Sequence, residues 1–460
     1  MRYIKLHENE KVPVFKNVIY ALRLVCKADK RLLISYLISY IFDDIFVRYI
    51  QSILFLKVLL SLFDRGAEFR EYVRDLLLFF AIAAATKIIS WVAAYIRQVA
   101  TKNVLKVLNN MVFEKAISLD VGCYESPEFY DKYQRATLIM SAGYFDIICY
   151  DVALVVSGIV SLMLVIGTVT AISPVYLLFL LPIALVFVIE IFKSKAVYKR
   201  DLEMTGNNRT KAYIQRTVFL KDFSKDMRTS NIFSVMMKRF EKAVDGNIKI
   251  LKSYGVKLFL YSIVSSLFSE FIPIIGTYAY AGYKFVKGGS MTVSGFSVVV
   301  SSISTVREAT LDIAEAFDEM TQMALYFQNL KDFFDFEPSI KDGNIQAGEF
   351  ESIEFRNVTF RYPSAKKNTL ENISFKINRG ETVAVVGING AGKSTAVKLM
   401  LRFYDVTDGE ILYNGVNIKE YTLSSLRSSF ATVFQDYKNF AISVYENVMC
   451  HECTEEDKQK

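Results

Sequence analysis

Gly387-Ile388-Asn389-Gly390-Ala391-Gly392-Lys393-Ser394-Thr395 fits the pattern G-x-x-x-x-G-K-[ST] of a phosphate-binding loop. The run before it, Glu381 to Val386, reads as a short buried strand. The run after it, Ala396 to Arg402, reads as a helix. Strand, loop and helix in that order are the context such a loop requires. Glycines let successive backbone N–H groups turn inward around phosphate oxygens, and the helix N-terminus adds its dipole to the same anion. Gly387, Asn389, Gly390, Ala391, Gly392, Lys393, Ser394 and Thr395 are therefore the expected phosphate-side contacts. Lys393 reaches the β- and γ-phosphates, and the Ser394 hydroxyl is the expected ligand of Mg²⁺. The expected cofactors are ATP and Mg²⁺.

Upstream of this loop the texture is different. The 460-residue chain is 52% hydrophobic, and most of the excess lies before residue 330. Six apolar segments are long enough to cross a bilayer, near 31–62, 74–100, 143–172, 174–193, 256–285 and 292–314. Backbone groups in lipid must be satisfied internally, so each is expected to be helical. Before them, Phe15, Val18, Ile19, Leu22, Val25 and Cys26 recur at helical spacing among lysines and arginines, an amphipathic helix along the membrane surface. The opening residues lack the pattern of a cleavable signal peptide.

The links between segments alternate short and long, and the long ones read as helical extensions. The 194–255 link and its margins carry sixteen Lys and Arg between Lys193 and Lys257, which marks the cytoplasmic side. Both termini then face the cytoplasm, where ATP is. The net charge of +7 is explained by this orientation, and no nucleic-acid motif accompanies it. Cys26, Cys123, Cys149, Cys450 and Cys453 form no even framework and read as free thiols; Cys450-His451-Glu452-Cys453 is too thin for a metal site. Asp43, Asp44, Arg48, Lys87, Asp146, Asp151 and Glu190 lie within spans, as structural pairs or interfacial charges or as the lining of a polar path. Asp44 and Arg48, at i,i+4, can pair.

From residue 350 onward strands and turns take over. Ile353–Tyr362, Asn372–Ile377, Gly409–Gly415 and Ser429–Phe434 read as strands. The expected fold class is an α-helical membrane domain of six transmembrane helices with long cytoplasmic extensions, followed by an α/β P-loop NTPase domain, partial by the family resemblance given next. Its parts are an elbow helix at 1–30, the membrane domain at 31–337, a linker at 338–350 and the nucleotide-binding part at 351–460.

Six spans, then Phe360-Arg361-Tyr362-Pro363, the phosphate loop, Val433-Phe434-Gln435-Asp436 and Tyr445-Glu446-Asn447-Val448 together resemble an ABC transporter half-molecule of the exporter type. The resemblance implies that Tyr362 stacks on adenine, which suits an aromatic ring. It implies that Gln435 contacts Mg²⁺ and the attacking water, so Lys393 and Gln435 are the expected catalytic residues, with Ser394 and Gln435 on the metal. It implies two coupling helices in the cytoplasmic loops, at Ser126–Asp131 and around Thr229–Phe233. The implied partners are a second half-transporter, membrane lipids and a transported peptide, drug or lipid; no nucleic acid is expected. The implied location is a bacterial-type plasma membrane. The family's signature, its Walker B strand and its switch histidine do not occur in these residues, whose histidines are His7 and His451. The expectation is a fragment of an ATP-hydrolysing exporter. The alternative is a sensor or regulatory half that binds ATP without turnover.

Overall fold

The computed structural model describes residues 13–124, 129, 133, 136–137, 139–140, 143–288, 292–338, 340–363, 365–433 and 440–450. They fall into two units, residues 1–114 with 132–335, and residues 115–131 with 336–460.

The first unit is helical throughout its described residues. Its elements are α1 (Val14–Asp29), α2 (Arg31–Asp44), α3 (Leu56–Arg65), α4 (Phe69–Ile117, whose last turn belongs to the second unit), α6 (Tyr144–Ile172), α7 (Tyr176–Phe219), α8 (Ser224–Thr229), α9 (Ile232–Ser266), α10 (Ile272–Gly288) and α11 (Val293–Phe334). A stretch of wider π-type turns, Ile45–Phe55, joins α2 to α3. Among the described residues, five helical rods are long and apolar enough to cross a membrane: Arg31–Leu62, Phe69–Ile117, Tyr144–Ile172, Tyr176–Asp201 and Ile232–Lys284. The sixth expected span, 292–314, forms the front of the continuous helix α11. Its Ser294, Ser297, Ser301, Ser302 and Ser304 dilute its apolarity, and it is not among those five. Burial of such hydroxyls is tolerated because they bond their own helix: Ser302 Oγ donates to the Val298 carbonyl at 2.7 Å. Around them Val298, Val299, Ile303 and Val306 pack with Ile53, Val165, Val169, Tyr176 and Ile183 into one buried cluster. Leu77, Phe80, Trp91, Leu178, Leu181 and Phe259 face outward, as side chains bathed in lipid do.

Helix α1 is amphipathic, as its spacing predicts, and it buries Asn17, Val18, Ala21, Leu24 and Val25. Asn17 donates to the Ala324 carbonyl of α11 at 2.9 Å, which satisfies a buried amide and fixes how α1 sits on that helix. Phe15 and Ile19, expected on the same face, are exposed. The in-span charges are mostly paired. Arg48 meets Asp44 at 3.0 Å, as i,i+4 spacing predicts, and also bonds Asp312 of α11. Lys87 meets Asp43 at 2.8 Å, Glu190 binds Lys193 and Ser265, and Asp146 accepts from Thr101. Asp151 is fully buried. Asp43, Asp44 and Lys87 each take part in an ion pair.

The second unit holds an antiparallel sheet in the order β2-β1-β3-β4, formed by β1 (Ser352–Phe360), β2 (Leu370–Asn378), β3 (Asp408–Tyr413) and β4 (Val416–Asn417). Ile353 faces Ile377 on one side and Tyr413 on the other, and Phe355 faces Phe375 and Ile411. The inward positions Ile353, Phe355, Val358, Phe360, Ile411 and Tyr413 form a core with Leu399 of α12 (Lys393–Met400) and Leu426 of α13 (Leu423–Ser428). A last helix, α14 (Val444–Met449), starts at a reciprocal cap between Ser443 and Glu446.

Residues 115–124 belong to this unit and include the single-turn helix α5 (Val121–Tyr124). Asp120 fastens them, its Oδ2 accepting from the Ile340 N–H at 2.8 Å. The buried Arg402 donates to the Lys341 carbonyl at 2.8 Å and to Asp405 at 3.1 Å. Asp342 accepts from the Leu423 N–H. Lys341 and Asp342 are thereby bonded to the chain just after α12 and to the start of α13.

Among the described residues, two expected strands have no ladder partner: Glu381–Val386, and the described part, 429–433, of Ser429–Phe434. A strand exists only where its N–H and C=O groups meet a neighbour. Val386 is 91% exposed.

Candidate nucleotide-binding site

The phosphate loop runs from Gly387 to Gly392 and turns directly into α12. Gly390 and Gly392 have φ of 85° and 87°, the left-handed region that a side chain disfavours. Gly392 is doubly constrained, since a Cβ there would lie 2.5 Å from Leu370 Cδ2 and 3.1 Å from the Thr369 carbonyl oxygen. The Ala396 N–H bonds the Gly392 carbonyl at 3.0 Å, which starts the helix at the glycine. Lys393 curls back over the loop, and its ammonium donates to the carbonyls of Gly387 at 2.6 Å and Ile388 at 2.9 Å. Phosphate oxygens are stronger acceptors than these carbonyls and are the natural replacement for them. Ser394 is exposed on the first turn, placed to meet a cation from solvent, whereas Thr395 is buried.

Tyr362 is brought to this helix although 33 residues separate it from Thr395; the two hydroxyls share a hydrogen bond of 3.1 Å. Its ring packs edge-on against Phe360 at 4.9 Å and Tyr404 at 5.2 Å. The Lys398 ammonium lies 5.5 Å from the Tyr362 ring centre and 5.9 Å from that of Tyr404. Tyr362, Lys393, Ser394 and Thr395 are thus grouped around one helix start, with Gly387, Asn389, Gly390, Ala391 and Gly392 forming the loop above it. Gln435 lies outside the described residues, as does most of Ser126–Asp131, where the first coupling helix was expected. Thr229–Phe233 falls at the junction of α8 and α9.

Sequence reasoning passed over Tyr404, Lys398 and Arg402. Tyr404 offers only an aromatic residue four positions beyond α12 as a signal. Arg402 holds a positive φ of 48° at the end of the helix. Arg427 bonds the carbonyls of Leu401 and Arg402 and faces the Phe403 ring at 5.2 Å. Burial pushes its guanidinium below the usual value, and the nearby Asp120 carboxylate opposes that shift.

Residues 370–460 match the ABC transporter family. The chain is 26% identical to the subtilin transport ATP-binding protein SpaT of Bacillus subtilis over 81% of its own length and 61% of that protein. It is 34% identical to the putative multidrug export ATP-binding/permease protein YgaD of Bacillus subtilis, over 41% of this chain and 32% of that one. It is 50% identical to the ATP-dependent lipid A-core flippase of Escherichia coli K12, over 21% of this chain and 16% of that one. The chain therefore spans about three fifths of the first of these relatives and smaller parts of the others. The region that matches this family follows a helical region with apolar, membrane-length rods.

Proposed function

We propose that this chain is the half-transporter of an ATP-driven exporter that moves a peptide, drug or lipid across the plasma membrane of a bacterium. It works as a dimer with a second half, homologous or identical. The observation that carries the reading is the phosphate loop with its lysine already turned into the cradle, on a chain whose other unit is built of membrane-length apolar helices. The relatives support export of several cargo classes: a subtilin transporter, a multidrug export protein and a lipid A-core flippase.

In this reading the six expected spans form the membrane domain, and the loop amides of 387–392 with the α12 N-terminus bind the phosphates. Lys393 exchanges its two carbonyl partners for phosphate oxygens and places positive charge where negative charge develops during hydrolysis. Ser394 holds Mg²⁺ together with Gln435, and Gln435 also orients the water. Tyr362 stacks on the base. Mg²⁺-ATP, when bound, supplies the phosphoryl chemistry; the chain supplies position and charge.

Lys393→Ala tests the assignment. The variant exchanges two or more charge-assisted bonds for none, so Mg²⁺-ATP affinity falls about 100-fold in equilibrium binding. Affinity within threefold of the unaltered protein refutes the nucleotide site. Transport is read separately in vesicles, as ATP-dependent movement of labelled peptide, drug and lipid probes.

A further inference from the structure

Tyr404 is buried, 6% exposed, and its ring meets groups from two distant parts of the sequence. One is the aromatic pair at the end of β1. Phe360 and Tyr362 stand 5.5 and 5.2 Å from the Tyr404 ring centre, and Tyr362 meets it at 82°. The other is α5, more than 280 residues upstream. A Cβ added to Gly122 would lie 2.8 Å from Tyr404 Cε1 and 3.3 Å from Cδ1. Glycine at 122 therefore admits the ring, and no larger residue fits unless the ring moves. Asp120, two residues before it, is held to Ile340, so α5 cannot simply back away.

We infer that Tyr404 is a positioning residue that sets the orientation of Tyr362 and ties it, through one ring, to the short helix α5. The inference rests on the reading of Tyr362 as the base-stacking residue. Close-packed interiors pass displacement on rather than absorb it. The Thr395 hydroxyl fixes the far end of Tyr362, so the Tyr404 edge is the side on which Tyr362 can be pushed. A base seated on Tyr362 acts on α5 through Tyr404, and a disturbance at α5 acts on the base in return, since coupling between two sites is reciprocal.

The test is equilibrium binding of Mg²⁺-ATP and of inorganic tripolyphosphate to the full chain in lipid nanodiscs. Tripolyphosphate reads the phosphate cradle alone, so the affinity ratio reads the base contact. Tyr362→Ala sets the floor of that ratio. Gly122→Ala and Tyr404→Leu are each expected to weaken ATP about fivefold, the low end of what a base–aromatic stack supplies, and to leave tripolyphosphate within twofold. Tyr404→Phe keeps the ring and the unaltered ratio. A ratio unchanged in both Gly122→Ala and Tyr404→Leu, while Tyr362→Ala lowers it, overturns the link but spares the stacking role. A ratio unchanged in Tyr362→Ala overturns the stacking role and the link with it. A second measurement needs no substitution. In the unaltered protein, Mg²⁺-ATP is expected to change amide exchange at Gly122–Tyr124, and tripolyphosphate is not. Equal exchange with the two ligands overturns the inference even if a variant fails to fold.

Discussion

β1 and the segment that enters the phosphate loop lie in the same unit and draw on the same residue types. Ile353, Phe355, Val358 and Phe360 in β1 are between 0 and 3% exposed, with β2 bonded on one side and β3 on the other. Val383, Val385 and Val386 are 51, 60 and 91% exposed, and their segment is bonded to no strand among the described residues. Pairing on both edges, with α12 and α13 covering the face, is what turns apolar sequence into a buried strand. The phosphate loop sits at the junction of the two regimes. Its entry has no ladder partner among the described residues, whereas its exit is anchored by Gly392 against Leu370 and by Thr395 against Tyr362.

Substitutions on the two sides of that contrast separate widely. Phe355→Ala removes a ring stacked 4.4 Å from Phe375 in the paired sheet and costs about 3–5 kcal/mol in chemical unfolding of the second unit. A loss below 1 kcal/mol would show that the sheet core is not where its stability lies. Tyr362→Ala weakens Mg²⁺-ATP by about 1–3 kcal/mol, read by titration; unchanged affinity removes the stacking role. Ser443→Ala breaks the reciprocal cap of α14 and speeds amide exchange at Glu446–Met449 about fivefold. The Ser443 hydroxyl and N–H hold the Glu446 carboxyl below its ordinary value. The cap is accordingly present at neutral pH and is lost as pH falls through the carboxylate range, and exchange in α14 should rise along that path.

The helical unit shows how much a long-range partner adds to a local pattern. Asp44 and Arg48 pair because one helical turn brings them together, and that spacing is visible in sequence. The Lys87–Asp43 and Arg48–Asp312 pairs join different helices, and no spacing announces them. The same holds for Asn17 on the Ala324 carbonyl. Each satisfies a polar group that would be costly left alone in an apolar setting. The serine-rich front of α11 illustrates the reverse. Composition alone makes it the weakest of the six expected spans, and packing on Ile53, Val165 and Val169 places it in the core of its unit.

By itself, the sequence determined the glycine-rich turn into a helix, three of the four described sheet strands and the apolar rods. Each of these depends on residues close together along the chain: glycines where φ must be positive, periodicity for helices, alternation for a half-buried strand. Only the tertiary structure decided that Tyr362 bonds Thr395, that Tyr404 fits beneath Gly122, and that Asp120 fastens residues 115–124 to Ile340. Those depend on which neighbour arrives from far along the chain, and hydrogen-bond pairing and close packing are properties of neighbours, not of segments.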